Sequence, residues 1–158
     1  SLHEIIFFLD HIGGEIGVSG HNGSGGPWRI GIHDPRHEEQ VPYAAVELRG
    51  GAVATSGGYR HFRIVDGQRY SHLIDPRSGY PASLATAAVI VVAPTAAEAD
   101  GWATGLFVLG GKEGLALAAQ RQLAVLFLLF DGKGLREHAS PAFAPYRRQA
   151  IARQENAG

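Results

Sequence analysis

The sequence contains no cysteine and no methionine among its 158 residues. Without cysteine the chain has no disulfide bond, no thiolate metal site and no cysteine nucleophile. This absence does not indicate a compartment, because periplasmic proteins can lack cysteine as well. Because the initiator methionine is missing, we expect the chain to be a processed form or a fragment of a longer protein.

The chain also lacks an excess of charge of either sign. Its 14 Lys and Arg residues nearly balance 15 Asp and Glu residues, which gives a formal net charge of -1. Bulk charge therefore provides no basis for binding nucleic acid or an anionic membrane surface. With 45% hydrophobic residues, the chain has the apolar content of one folded domain rather than of a disordered tail.

Long hydrophobic runs are missing too. Residues 5–9 form an apolar stretch far shorter than a membrane span, and no basic residues precede it. Residues 123–130 form a longer run, but Asp131-Gly132 ends it with a turn signal, so a buried strand is predicted. The sequence thus predicts no membrane span and shows no targeting signal.

Glycine pairs and turn signals divide the first half into strands. Gly50-Gly51 separates residues 44–49 from 52–55, and Asp66-Gly67 separates residues 60–65 from 68–74. Both dipeptides tolerate positive φ, which predicts two hairpins with two-residue loops. In the second hairpin, Val65 would face Gln68.

The second half predicts two helices between strands. Thr95 followed by Glu98 is a capping box, Gly110-Gly111 is a helix stop, and a second helix is predicted over residues 112–122. Strands are predicted on either side, and the tail after Tyr146 is predicted to be frayed helix. The order of elements predicts an α+β fold, in which one antiparallel β-sheet carries both helices on one face.

Ser56 and Gly57 lie in the first segment that could bind a ligand, residues 55–59. Small hydroxyl side chains beside consecutive glycines allow a phosphate group or a ring to approach the backbone closely. Taken alone, the segment is better explained as a bulge or a loop, since glycine pairs are common at such places.

His72 lies near the end of a predicted strand, in the second such segment. A neutral imidazole there can act as a base near pH 7. Asp75 precedes a proline and is expected to cap the following turn. The hairpin register places His61 opposite His72, which also permits a two-histidine metal pair, although no third ligand is evident nearby.

Asp100 and Thr104 form the third candidate, because residues four apart share a helix face. That face lies nearly opposite Trp102, Leu106 and Leu109, the predicted core stripe. A carboxylate and a hydroxyl supply the hard oxygen ligands that suit Mg²⁺ or Ca²⁺. The alternative is that Asp100 only compensates the helix dipole and Thr104 is a surface residue.

Together these segments resemble the ApbE family, the FAD:protein FMN transferases once linked to thiamine biosynthesis. The similarity covers most of residues 12–135 in the order and spacing of the family, and its motifs are Gly13-Gly14-Glu15-Ile16, Trp28-Arg29-Ile30-Gly31-Ile32, Asp34-Pro35, Thr55-Ser56-Gly57, His72-Leu73-Ile74-Asp75-Pro76-Arg77-Ser78-Gly79-Tyr80-Pro81, Ala99-Asp100, Ala103-Thr104 and Gly110.

The resemblance implies a Mg²⁺-dependent transfer of FMN from FAD to a threonine hydroxyl of a target flavoprotein, with release of AMP. It implies that His72 is the catalytic residue, that Ser56, Gly57 and His72 contact the cofactor, and that Asp100 and Thr104 bind the metal ion. Two alternatives stay open, an FAD pyrophosphatase that releases FMN and AMP, and a non-catalytic flavin-binding or metal-binding module.

The resemblance also implies that residues 12–146 are the C-terminal half of a flavin transferase domain, one T-fold-like unit of a duplicated fold. Residues 1–11 and 147–158 would be flanking segments, the first a foreign or altered start. Gly58 stands where many family members have Asp. The full-length parent is expected to be periplasmic or membrane-anchored.

Overall fold

The computed structural model describes residues 8–12, 14–37, 41–58 and 62–149. Within these residues the chain forms eleven strands, one long helix and a short 3₁₀ helix. In chain order they are β1 (Phe8–Ile12), β2 (Glu15–Ser19), β3 (Trp28–His33), β4 (Pro42–Leu48), β5 (Gly50–Gly57), β6 (Phe62–Val65), β7 (Gln68–Ser71), β8 (Thr86–Ala93), α1 (Ala96–Gln120), β9 (Ala124–Phe130), β10 (Leu135–Ala139), the 3₁₀ helix (Pro141–Phe143) and β11 (Arg147–Gln149).

A six-stranded antiparallel sheet with the strand order β1-β2-β5-β8-β9-β10 forms the middle of the molecule. Its central strand β8 is buried along nearly its whole length. A continuous apolar run fits that position, because a central strand covered on both faces has no side facing water.

A three-stranded sheet with the order β11-β4-β3 covers one face of the six-stranded sheet. The interface between them is made of alternate residues, such as Ile90 on β8, Leu126 on β9 and Val46 on β4, all fully buried. Helix α1 covers the other face, where Val89 and Val91 of β8 pack against it. The period-2 alternation of side chains therefore supplies two separate cores from one sheet.

Helix α1 begins as predicted, with the Thr95 side chain accepting a hydrogen bond from the Glu98 backbone N–H. The α+β class is confirmed. The expected pair of helices is instead one helical element that is interrupted at Gly110, whose φ of 78° and ψ of 173° are not helical. A glycine can adopt this conformation at little cost, so the first helical segment stops at Gly110, where the stop was predicted, and a second helical segment follows after a kink.

The buried stripe of the helix differs from the predicted one. Leu106 is fully buried as expected, but Trp102 and Leu109 are only partly buried. The small residues Ala99 and Ala103 are fully buried instead, together with the bulky Phe107. Short side chains at positions 99 and 103 let this part of the helix pack close to the sheet.

The predicted Gly50-Gly51 hairpin is wrong, because β4 and β5 belong to different sheets. Strand β4 pairs with β3 and β11, and β5 pairs with β2 and β8. Gly51 has a φ of +89°, and a Cβ atom there would lie 2.7 Å from the carbonyl oxygen of Ala93. Glycine is therefore needed for the crossing between sheets and not for a hairpin loop.

The Asp66-Gly67 hairpin is confirmed. Strands β6 and β7 pair with Val65 opposite Gln68, and Asp66 and Gly67 both have positive φ. His61, the other member of the predicted histidine pair, lies outside the described residues.

The tail after Tyr146 is not helical where it is described. Arg147–Gln149 form β11, which extends the three-stranded sheet. Arg147 makes a bidentate ion pair with Glu137, and Arg148 pairs with Glu47. Backbone pairing with β4 holds this polar segment as a strand, and the two ion pairs add to that contact. In the described part of the chain, no helix has both the length and the apolar character that crossing a membrane requires.

We predict that Gly114→Ala destabilises the fold although alanine favours helix. A Cβ atom at position 114 would lie 2.6 Å from Phe127 Cζ and 3.1 Å from the carbonyl oxygen of Leu106. Overpacking of this kind costs about 1–3 kcal/mol, against a helix-propensity gain of about 1 kcal/mol. Urea denaturation should therefore show a net loss of stability of up to about 2 kcal/mol.

Gly105→Ala is the matched control, because Gly105 is exposed and nothing lies within 4 Å of the point that a Cβ atom would occupy there. This substitution should stabilise the protein by about 0.5–1 kcal/mol. If both variants gain stability, the helix does not pack against β9 as closely as these distances require.

We also predict an acid-sensitive contact between β10 and β11. The Arg147 guanidinium lowers the pKa of Glu137 by hydrogen bonding to its carboxylate. Because the pKa of Glu137 is lower in the folded state than its ordinary value of 4.5, the contact contributes its full stabilisation at pH values above 4.5. This contribution is lost as the pH falls through the lowered pKa of the folded state. Arg147→Gln should raise the pKa of Glu137 in a ¹³C NMR titration.

Arg148→Gln is the control for this titration, since Arg148 pairs with Glu47 and not with Glu137. It should leave the Glu137 titration unchanged. An unaltered Glu137 pKa in the Arg147 variant would show that the bidentate pair does not form in solution.

Candidate functional site

Two short hydroxyl side chains connect the six-stranded sheet to helix α1. Ser56 lies near the end of β5, on the face that also carries Ala52 and Ala54, and both alanines pack beneath the helix. Its Oγ lies 3.1 Å from Thr104 Oγ1, within hydrogen-bonding distance. Two predicted site residues that are 48 positions apart in the sequence are therefore in direct contact.

Asp100 lies one turn before Thr104 on the same side of the helix, as the spacing predicts. Its side chain is exposed, whereas Thr104 is half-buried at the border of the helix–sheet contact. The pair thus lies beside the buried stripe, with the carboxylate toward solvent and the hydroxyl toward β5.

Asp100 also lines a cavity of about 510 Å³ between β2, the start of β5 and the first turn of helix α1. Glu15 of β2 lines the same cavity, and it lies opposite Ala54 of β5 in the sheet. Because the carboxylates of Glu15 and Asp100 line the same cavity, the cavity favours binding of a cation over binding of an anion.

The oxygen atoms of Asp100 and Thr104 fit a hard cation, but they fill only part of its coordination shell. Asp100 and Thr104 supply a carboxylate and a hydroxyl oxygen, which are suitable Mg²⁺ ligands. Among the residues that the structure describes, no group of three or more His, Asp or Glu side chains is arranged to hold a metal ion. Water, backbone carbonyls and the phosphates of a substrate are the kinds of ligand that could complete the shell of a cation at Asp100 and Thr104.

Gly57 and Gly58 end β5 next to this contact. Gly58 is buried, and a Cβ atom there would lie 3.2 Å from Leu84 Cδ2 and 3.3 Å from Phe107 Cζ. A larger residue at this position, such as the Asp expected from the resemblance, would require both neighbours to shift slightly. The glycine therefore agrees with the packing around it.

His72 is exposed and directly follows strand β7. The two residues that flank it are held in place: Ser71 is 3% exposed, and its Oγ accepts a hydrogen bond from the Leu73 N–H, at 3.1 Å. The Leu73 carbonyl in turn accepts a hydrogen bond from the Ala82 N–H, at 2.8 Å. The backbone around His72 is therefore fixed while its imidazole is accessible to solvent.

The turn after His72 is closed by Asp75 and connected to helix α1 by Arg77. Asp75 Oδ1 accepts a hydrogen bond from the Arg77 backbone N–H, as predicted, and the Arg77 guanidinium lies across the Asp75 carboxylate. This guanidinium lowers the pKa of Asp75. Arg77 Nη1 also lies 2.6 Å from Glu113 Oε2, on the second half of the helix.

The sequence did not predict the structural roles of Ser71 and Glu113, or that Glu15 lines the same cavity as Asp100. Glu113 is one of several exposed helix residues, and nothing in its spacing indicates a partner 36 residues earlier. Ser71 directly precedes His72, but its burial follows from how the turn packs on the helix-side core. Glu15 belongs to the Gly13-Gly14-Glu15-Ile16 motif, whose pattern alone indicates no role for the carboxylate.

Comparison with known proteins shows what this arrangement is similar to. Residues 4–127 match the ApbE family. The chain is 40% identical over 139 residues to the FAD:protein FMN transferase of Klebsiella pneumoniae, which covers 88% of this chain and 40% of that protein.

Two solved structures are similar in fold and sequence. The flavinyl transferase ApbE of Pseudomonas stutzeri, in its apo form, has a TM-score of 0.76 and 39% identity, covering 92% of this chain and 45% of that one. The flavin transferase ApbE of Vibrio cholerae has a TM-score of 0.76 and 41% identity, covering 87% and 43%.

The chain spans about 40% of the length of the curated relatives that it matches. The family match begins at residue 4 and contains all five predicted site residues, Ser56, Gly57, His72, Asp100 and Thr104. Together with the α+β fold and the contact between Ser56 and Thr104, this match shows that the chain belongs to the ApbE family.

Proposed function

We propose that this protein transfers FMN from FAD to a threonine hydroxyl of a target flavoprotein and releases AMP. The observation that carries the proposal is the 40% identity, over 88% of the chain, to a protein named FAD:protein FMN transferase. The structure adds support because two hydroxyl-bearing residues of the predicted site, Ser56 and Thr104, are in direct contact.

The proposed reaction is an in-line displacement at the FMN phosphorus. The acceptor oxygen forms a bond to that phosphorus, the bond from the phosphorus to the bridging oxygen breaks, and AMP leaves with the bridging oxygen. The proton of the acceptor hydroxyl passes to His72. A free hydroxyl is a poor nucleophile near neutral pH, so a base positioned beside it contributes about 10²- to 10⁴-fold in rate.

Asp100 and Thr104 would hold Mg²⁺ through one carboxylate oxygen and one hydroxyl oxygen. When bound, the ion neutralises negative charge on the FAD pyrophosphate. Because two protein oxygens fill only part of an octahedral shell, FAD phosphates and water would supply the rest, which couples metal binding to substrate binding.

Ser56 and Gly57 would contact FAD where β5 ends, since small residues there leave the backbone accessible to a phosphate or a ring. The accessible imidazole of His72 and the fixed backbone around it suit a base that must meet an acceptor from another protein. By resemblance to the family, we also propose that the full-length protein is periplasmic or membrane-anchored.

The direct test is incubation of the intact protein with FAD, Mg²⁺ and a candidate acceptor flavoprotein, followed by mass spectrometry of the acceptor. Transfer predicts a covalent FMN adduct and one AMP for each adduct. Free FMN and AMP without an adduct would indicate the pyrophosphatase. FAD binding without either product would indicate a non-catalytic module.

We predict that Asp100→Ala abolishes Mg²⁺-dependent turnover and leaves the fold intact, because Asp100 is exposed and supplies the only carboxylate of the proposed pair. At limiting Mg²⁺ the loss in kcat/KM should exceed the roughly 10- to 100-fold that follows loss of an outer-sphere partner of a metal site. Circular dichroism should confirm an unchanged fold.

Glu98→Gln is the matched control, since it removes one negative charge from the first turn of the same helix, on a different face from Asp100, and keeps an oxygen acceptor for Thr95. Its turnover should match the unsubstituted protein. Unchanged turnover of Asp100→Ala at limiting Mg²⁺ would refute the metal assignment.

We predict that His72→Ala lowers kcat for FMN transfer by about 10²- to 10⁴-fold while FAD still binds. A base acts only on the transferred proton, so KM for FAD should change little. Steady-state kinetics and FAD fluorescence titration separate the two quantities.

His138→Ala is the control, because His138 is an exposed histidine on β10. It should leave kcat and FAD affinity unchanged. If His72→Ala weakens FAD binding and kcat holds, His72 is a binding residue and the catalytic assignment is wrong.

A further inference from the structure

The contact between Ser56 and Thr104 bears on how Thr104 can bind a metal ion. A threonine hydroxyl carries one proton and two lone pairs. If Oγ1 binds a cation, a lone pair must point at the ion and the proton must point away from it. The proton then needs an acceptor on the side of Thr104 that faces the protein.

Ser56 is positioned to provide that acceptor, since either of the two hydroxyl groups can be the donor of the hydrogen bond between them. Its Oγ lies 3.1 Å from Thr104 Oγ1, on the strand that the helix packs against and not on the solvent side where Asp100 is exposed. The bond is partly buried, so water competes with it less than at an open surface.

The strand also fixes the position of Ser56. Ser56 lies opposite Val89 of the central strand β8, and Ala52 and Ala54 on the same face of β5 are fully buried under the helix. Ser56 therefore has little freedom to move away from Thr104. A helical threonine otherwise tends to hydrogen-bond the carbonyl four residues earlier, which here belongs to Asp100.

We propose that Ser56 is a positioning residue that accepts the proton of Thr104 and thereby directs a lone pair of Thr104 Oγ1 toward a divalent cation shared with Asp100. This inference rests on the proposed function, because it assumes that Asp100 and Thr104 bind the metal ion. It assigns Ser56 a role through Thr104, and that role does not require Ser56 to touch FAD.

The test uses Mn²⁺ as a paramagnetic probe and needs no catalysis. Mn²⁺ broadens the amide signals of residues near it, so NMR of the full-length protein in the presence of saturating FAD, which supplies the phosphate ligands, measures binding at Asp100 and Thr104 directly. The variants are Ser56→Ala, which removes the acceptor, Ser56→Thr, which keeps a hydroxyl, and Thr104→Val, which removes the ligand itself.

Ser56→Ala should raise the apparent Kd for Mn²⁺ about 10-fold, in the range seen for loss of an outer-sphere partner. Ser56→Thr should stay within about twofold of the unsubstituted protein, and Thr104→Val should weaken binding more than Ser56→Ala does. Thr55→Val is the matched control, because it removes a hydroxyl from the neighbouring residue, which points to the opposite face of β5. It should leave the Kd unchanged.

The outcomes distinguish failure of the metal assignment from failure of the positioning role of Ser56. If the unsubstituted protein shows no broadening at Asp100 and Thr104, the metal assignment fails, and this inference fails with it. If the unsubstituted protein binds Mn²⁺ and Ser56→Ala binds it equally well at an unchanged melting temperature, only the positioning role of Ser56 is overturned.

Discussion

The close approach of helix α1 to the six-stranded sheet is the constraint on which the candidate site depends. Ala99 and Ala103 on the helix and Ala52 and Ala54 on the sheet belong to one buried cluster, and all four are fully buried. Side chains this short leave the two backbones near each other. Only at such a separation can two other short side chains, Ser56 and Thr104, meet across the same contact.

Helix α1 also carries the contacts that organise the rest of the site. Its first half holds Asp100 and Thr104, and its second half holds Glu113, which pairs with Arg77 in the turn after His72. Gly110 lies between the two halves and sets the direction of the second relative to the first. The turn that carries His72 and the residues proposed to bind metal are thus fixed to one element that is packed on a buried sheet.

Much of this arrangement could be predicted from local sequence signals. The Asp66-Gly67 hairpin, the Thr95 cap and the Asp75 turn each depend on residues a few positions apart, and the structure confirms all three. The Gly50-Gly51 hairpin was wrong because the dipeptide shows that a turn occurs but not which strand each side pairs with. That choice was made by the burial of β5 between β2 and β8, a long-range effect. The contact of Ser56 with Thr104 has the same origin, since it requires the register of the sheet and the placement of the helix upon it.

The central claim is that Asp100 and Thr104 hold a divalent cation against the phosphates of FAD. The most direct measurement is anomalous X-ray diffraction from crystals of the protein grown with FAD and Mn²⁺. The account predicts one strong anomalous peak about 2.0–2.2 Å from both an Asp100 carboxylate oxygen and Thr104 Oγ1, with FAD phosphate oxygens completing the shell. A manganese peak bound to other residues, or bound FAD with no peak beside Asp100 and Thr104, would contradict it.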